Sequence, residues 1–505
     1  MDEQAESKKG LADRAAGAAK WSVLTQVASK LIAPITTMVL ARILTPAAFG
    51  VVASATMITS LADMISDAGF QTYLIQHRFG EDEGGRLALS ACVAFWTNLT
   101  VSLAIVLLIT ISRDALAAWV GSPGWGTLLV VASLSLPLTS LSSVQTAIHQ
   151  RSYDFKTLFS AKVGSSLLIF IVSVPVALLG AGPWAMVAGT LTSNLFLSLW
   201  LTLKSTWKPQ LIYSWTVLRE MLTFGLWILI EAVATWVNTW IGTFVIGVLM
   251  DHTHVGYYKT STSMTASIIS LITTAVLPVA LVALSEVQDD ETRFRRVFFR
   301  LQAYLSLGVV PIAAGVLVYH DAVTLLLLGR QWMETALFFG LWTGASCFVV
   351  SVGYLCSQAY YALGKPQLCT FVQVVYLVPF LPVLWVSAST NYTVLTWLMP
   401  LARLVLPVIQ VAVLWREVRI GLKEILYNMR WVFLATIVSM VPGLIVTAVT
   451  TSFFFSIAAA TLSVIMYTVF VLVHPVLSEQ TIDLLEKVGF DGISDRLARV
   501  KGKMR

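Results

Sequence analysis

Residues 87–111 read LALSACVAFWTNLTVSLAIVLLITI, twenty-five consecutive positions without a charged side chain, closed by Arg86 on one side and Arg113 on the other. Wound as an α-helix this stretch is about 37 Å long, more than the roughly 30 Å of a bilayer's hydrocarbon core. In lipid each backbone N–H and C=O has to be satisfied within the protein, which a helix does inside one segment. The stretch therefore predicts a membrane-spanning helix.

Working outward from it, thirteen more blocks pass the same test: 19–41, 48–70, 126–146, 158–180, 183–203, 220–249, 255–284, 301–320, 333–359, 369–388, 393–415, 431–450 and 452–474. The expectation is an all-α polytopic membrane protein of about fourteen transmembrane helices. Composition agrees, since 57% of the 505 residues are hydrophobic and only 12% charged. A soluble domain carries about 25% charged residues. The 17 Trp and 14 Tyr suit side chains held at headgroup level.

The net charge of +6 does not point to nucleic acid, because the basic residues are spread between the apolar blocks. With the N-terminus inside, Arg42, Arg113, Lys259 and Arg330 fall on the outer side, and Lys30 and Arg403 lie within spans. The remaining Lys and Arg fall on segments predicted to be cytoplasmic, as the positive-inside bias requires. The opening MDEQAESKKG is polar and has no signal-peptide character, so with an even number of spans both termini are expected in the cytoplasm.

Chemistry-bearing motifs are missing. No phosphate-binding GxxxxGK[ST] loop, HExxH, GxSxG or CxxC occurs, which argues against an ATP-driven pump and against an enzyme. Cys92, Cys347, Cys356 and Cys369 sit in or beside apolar blocks and read as free thiols. Asp251-His252-Thr253-His254 reads as a short outer loop rather than a metal site. No catalytic residue, metal or cofactor is expected, beyond an H⁺ or Na⁺ gradient as a source of drive.

An offset of 206 residues pairs Trp21 with Trp227, Leu40 with Ile246, Leu44 with Met250 and Gly50 with Gly256. Such a repeat divides the chain into a tail (1–18), an N-lobe (19–203), a connector (204–219), a C-lobe (220–415), two extra spans (431–474) and a basic tail (475–505). The last of these reads as a solvated anchor or an interfacial helix.

A charge at the bilayer centre costs about 2.5–3.5 kcal/mol on insertion scales, so intramembrane ions mark protein-facing or wet positions. Lys30 lies in span one, Glu231 in span seven and Arg403 in span twelve; Asp63 and Asp67 share one face of span two at i, i+4. Arg403 and Lys30 are suited to an anionic headgroup, Arg the more so because its planar fork matches phosphate. Glu231, Asp63 and Asp67 are candidates for ion coupling. Asp67 has a plainer reading as a solvated end residue, and Lys30 as a structural partner of Asp63.

Leu40-Ala41-Arg42-Ile43-Leu44-Thr45-Pro46-Ala47-Ala48-Phe49-Gly50 resembles the signature between spans one and two of the polysaccharide transporter (Wzx-like) flippases, part of the multidrug/oligosaccharidyl-lipid/polysaccharide (MOP) exporter superfamily. Asp67-Ala68-Gly69-Phe70, Leu74-Ile75-Gln76, Val255-Gly256-Tyr257-Tyr258, Gly329-Arg330-Gln331-Trp332 and Leu363-Gly364-Lys365-Pro366 continue the likeness from about residue 15 to 420. The resemblance implies two pseudo-symmetric six-helix lobes plus two extra helices, with a cavity that opens alternately to either side. It implies a cargo of undecaprenyl-pyrophosphate-linked oligosaccharide, held by cations among which Arg42 joins Lys30 and Arg403. Membrane lipid, a polysaccharide polymerase and chain-length or export machinery are the implied partners. The family's span-seven acid before the Ile-Gly pair is replaced here by Asn238-Thr239-Trp240-Ile241-Gly242 ahead of Ile246-Gly247, and Glu231, two turns earlier, is its substitute. The alternatives are another exporter of this fold, for drugs, cations or a peptidoglycan precursor, and a polytopic polysaccharide polymerase.

Overall fold

The computed structural model describes residues 2–77, 83–450 and 452–487; the basic tail beyond Lys487 lies outside them. Among the described residues there is no strand, and thirteen helices are long and apolar enough to cross a membrane. A fourteenth span is bent by 49° between His252–Thr274 and Val279–Ser285. That break contains Pro278, whose missing N–H opens the helical ladder.

The chain forms two compact units, residues 1–259 and 260–505. The first begins with α1 (Asp2–Ile43), α2 (Pro46–Asp67), α3 (Phe70–Gln76), α4 (Glu83–Ile111) and α5 (Arg113–Trp119). It continues with α6 (Gly126–Ser133), α7 (Ser135–Arg151), α8 (Phe155–Leu178), α9 (Trp184–Lys204), α10 (Trp215–Leu249) and the first turns of α11 (His252–Ser285). Residues 205–214, in the expected connector, are non-helical and fastened to α4: Trp96 Nε1 donates to the Gln210 carbonyl at 2.8 Å, and the Thr97 and Tyr213 hydroxyls meet at 3.0 Å.

Two of the sequence motifs are local necessities of packing. Helix α2 ends with Ala68 and then Gly69 in the left-handed region, where α10 crosses so closely that a Cβ on Gly225 would strike the Ala68 carbonyl. The chain then turns into α3, whose Phe70, Tyr73 and Leu74 are buried with Phe95, Val144, Leu218 and Met221. The guanidinium of Arg151 gathers the Leu74, Ile75 and His77 carbonyls at 2.9, 3.3 and 2.9 Å, closing the negative end of α3.

The 206-residue repeat has a physical counterpart. A Cβ on Gly50 would run into the His252 carbonyl, and one on Gly256 into the Pro46 carbonyl. Positions 46 and 50 are the repeat mates of 252 and 256, so the contact is reciprocal, like the isologous contact of a two-fold axis.

The second unit contains the rest of α11, then α12 (Glu291–Val318), α13 (His320–Leu327), a 3₁₀ turn (Arg330–Thr335) and α14 (Ala336–Ala362). After these come α15 (Gln367–Thr390), α16 (Tyr392–Arg403), α17 (Val405–Val418), α18 (Leu422–Asn428), α19 (Arg430–Val449), α20 (Phe453–Val473) and α21 (Pro475–Lys487). Helix α14 is its centre, with 78% of its apolar window buried and Phe338, Phe339, Cys356 and Tyr360 wholly enclosed. The last span, α20, joins through tyrosines: the Tyr319 and Ser463 hydroxyls meet at 2.7 Å, and the Tyr467 hydroxyl donates to the Leu307 carbonyl at 2.8 Å.

Candidate substrate and coupling sites

Asp63 and Asp67 project from one side of α2 onto α7, and α7 answers in the same register. The Thr139 hydroxyl donates to Asp63 Oδ1 at 2.5 Å, and the Ser143 hydroxyl to Asp67 Oδ1 at 2.8 Å. Both pairs are spaced i, i+4, so two parallel helices carry a two-rung ladder. Both carboxylates are half-buried within the unit. One turn above Asp63, Trp236 of α10 donates its indole N–H to Ser60 at 3.0 Å, which fixes α10 against the same helix.

Arg403 is the last residue of α16, where the twelfth span breaks at Leu404 before resuming as α17. A cation there complements the exposed carbonyls of the helix end. Its Nε donates to the Ser346 hydroxyl at 2.9 Å, and its guanidinium carbon lies 4.8 Å from the centroid of the Trp342 ring. Tyr376, a buried phenol of α15, neighbours the guanidinium. Among the described residues no carboxylate pairs with Arg403.

The other expected residues are dispersed. Lys30 is half-buried on α1, which packs along α8; Arg42 is exposed in the last turn of the same helix. Twelve residues separate them, about 18 Å along the axis, so α1 does not bring them to one phosphate. Glu231 is exposed and stands one turn inside the start of the apolar stretch Ile228–Leu249.

Lys259 stands inside the eighth span, as the block 255–284 expects: α11 begins at His252 and carries it two turns in. Its ammonium lies 3.5 Å from the centroid of the Trp240 ring of α10. The helix starts three residues before that block, in a stretch expected to be a short outer loop: Asp251 caps it by accepting from the His254 amide at 2.9 Å and its ring at 3.0 Å. Burial raises the Asp251 carboxyl, but the His254 contacts outweigh it and hold the group below the usual carboxylate range. The hydroxyl partners Thr139, Ser143 and Ser346 were also missed; the matching i, i+4 spacing of 139 and 143 was the available signal. Cys92, Cys347, Cys356 and Cys369 are free thiols, and the described residues hold no cluster of His, Cys, Asp or Glu able to bind a metal.

Many apolar spans, with Asp63, Asp67 and Arg403 seated between helices on hydroxyls and an indole, define a polytopic α-helical membrane protein. The chain belongs to the family of polysaccharide biosynthesis proteins, whose profile matches residues 39–337. It is 24% identical over 336 residues to the succinoglycan biosynthesis transport protein ExoT of Rhizobium meliloti (strain 1021), covering 65% of this chain and 67% of that one. It is 22% identical over 328 residues to the lipopolysaccharide biosynthesis protein WzxC of Escherichia coli (strain K12), covering 64% and 65%. In fold it is similar to the lipid II flippase MurJ in an inward closed conformation, with a TM-score of 0.73 at 14% identity over 89% of this chain and 97% of that one. An inward-facing multidrug resistance MATE transporter of the MOP superfamily aligns with a TM-score of 0.59 at 16% identity, over 79% and 96%.

Proposed function

We propose that this protein moves a lipid-linked oligosaccharide, carried on undecaprenyl pyrophosphate, across the bacterial cytoplasmic membrane for surface polysaccharide assembly. Arg403 carries the reading, as a guanidinium inside a span, over the Trp342 ring, held by Ser346, beside the Tyr376 phenol and unmatched by any carboxylate among the described residues. Such a group in low dielectric needs an anion, and a pyrophosphate supplies two bound by the planar fork. Lys259 and Lys30 are further intramembrane cations on which an anionic cargo can rest.

In this reading a cycle of alternating access turns the headgroup over while the isoprenoid chain stays in lipid. Asp63 and Asp67 are its coupling groups. Asp63, held by one hydroxyl, keeps lone pairs for H⁺ or Na⁺, and taking up that ion removes the cost of an ionised acid among apolar helices. The chain acts as a carrier and not as a polymerase, with polymerising and export enzymes as its partners.

The test is a deletion strain assayed for surface polymer and for lipid-linked repeat units. Loss of polymer with complete units retained on the cytoplasmic face supports the proposal. Units that reach the outer leaflet unpolymerised overturn it in favour of a polymerase. Unchanged polymer with new drug sensitivity, or with an accumulating peptidoglycan precursor, overturns it in favour of another exporter of this fold.

A further inference from the structure

Only residues 419–429 separate the twelfth span, which ends at Val418, from the thirteenth, which begins at Arg430. So short a connection stays at the membrane surface. Within it α18 buries Ile425 and turns Lys423 and Tyr427 outward, one turn apart on a single face, with Tyr427 66% exposed. An exposed tyrosine beside a lysine at the end of two spans is the composition of a headgroup-level helix.

Between α18, the first residue of α19 and the start of α12 lies a pocket of about 520 Å³, lined by Phe299, Lys423, Glu424, Tyr427, Asn428 and Arg430. Its charges are unequally satisfied. Glu424 is spoken for on both oxygens, accepting from Arg295 at 2.7 Å and from the Gly421 amide at 3.0 Å. Asn428 is held by the Phe299 carbonyl at 2.9 Å and Gln302 at 2.6 Å. Lys423 and Arg430 have no carboxylate partner among the described residues. Arg430 is nevertheless positioned, donating to the Tyr427 carbonyl at 2.8 Å with its guanidinium 3.6 Å from the Tyr427 ring centroid. It also stands at the N-terminus of a twenty-residue helix, where the dipole disfavours a cation unless an anion is present. The pocket therefore has a neutralised acid, two uncompensated cations and an aromatic wall, at the depth of lipid phosphates.

We infer that this pocket is a binding site for the phosphodiester of an anionic phospholipid of the phosphatidylglycerol kind. Lys423 and Arg430 clasp the phosphate, and Tyr427 and Phe299 lie along the glycerol and upper acyl carbons. The site is independent of the exported cargo and of the coupling residues. A surface lipid is favoured over a soluble anion because the cavity opens between span ends and is walled by aromatic carbon.

The experiment is native mass spectrometry of the full chain with phosphatidylglycerol or phosphatidylcholine added. Wild type is expected to retain phosphatidylglycerol, and K423Q/R430Q to bind it about thirtyfold more weakly with phosphatidylcholine unchanged, about fivefold for each lost charge. Equal retention by wild type and the double variant overturns the site. So does a wild type that responds to millimolar inorganic phosphate but not to phosphatidylglycerol. Should the variant unfold, a photoactivatable phosphatidylglycerol on wild-type protein decides the matter: labelling within residues 419–431 supports the site, and labelling confined to other peptides overturns it.

Discussion

The α2–α7 seam of the first unit and the α11–α14 seam of the second are counterparts in chain order, second and fourth spans against eighth and tenth. Each joins its helices by two side-chain rungs. In the first the rungs are Asp63 to Thr139 and Asp67 to Ser143. In the second they are Ser261 to Thr335 at 3.1 Å and Thr265 to Thr343 at 2.7 Å, hydroxyl on hydroxyl. The neutral seam is the more buried: Ser261, Thr265, Thr335 and Thr343 are all at 1% exposure or less, whereas both aspartates are half-buried. Helix pairing of this kind thus works without a carboxylate. The acids of the first seam bring a membrane cost that packing does not require, which is the argument for giving them the coupling role.

The largest effect is expected from removing that difference. In D63N/D67N each Asn oxygen still accepts from Thr139 or Ser143, so the seam keeps its rungs while losing ionisable groups. Surface polysaccharide in a complemented deletion strain should fall at least about tenfold, with the unfolding midpoint unchanged or raised because about 2.5–3.5 kcal/mol of insertion cost per charge is relieved. Full export by this variant would put the two seams on the same structural footing.

Next in size is the reciprocal glycine contact, which tests whether the two halves are comparable at all. Gly50→Leu and Gly256→Leu each drive side-chain carbon into backbone of the partner helix, and should each destabilise by about 1–3 kcal/mol in thermal unfolding. Similar losses are expected because the two positions are repeat mates. A loss at one position alone would mean that the 206-residue offset is coincidental.

Arg403→Lys comes third. It keeps the charge but loses the planar fork and the flat contact with Trp342, so export should drop about tenfold while R403Q loses most of it. Identical activity in R403K and wild type would reduce the position to a simple positive charge.

The spans were legible because apolar length is a coarse signal that survives every substitution within lipid, and all fourteen blocks have their helix. Asp63 and Asp67 were legible as a pair for a geometric reason, since four residues is one turn. Their partners were not: Ser and Thr populate every span of this chain, and most bond to a carbonyl of their own helix, as Thr25, Thr36, Thr56 and Ser66 do. Which hydroxyl leaves its own helix depends on the rotation of α7 about its axis, set by packing against α4 and α9 and not by the local sequence. The start of α11 was misplaced for the opposite reason, because Asp251-His252-Thr253-His254 has the composition of a loop while Asp251 caps the helix.

The smallest predicted effect sharpens the comparison from the neutral side. Thr343→Val keeps the volume and the β-branch but removes the hydroxyl partner of Thr265, which can fall back on a carbonyl within α11 as other span threonines do. Interhelical hydrogen bonds in membranes average about 0.6 kcal/mol, so T343V should lower stability by no more than about 1 kcal/mol and leave export within about twofold. Thr139→Val removes the same kind of group from the other seam, but it strips a carboxylate of its donor. A carboxylate only accepts, so Asp63 cannot turn to a helix carbonyl as Thr265 can, and T139V should cost more in stability and should shift the pH dependence of export, which T343V should not. Matching stability losses and matching pH profiles for the two valine variants would show that Thr139 only packs helices, and would leave Asp63 without the polar setting that a coupling group needs.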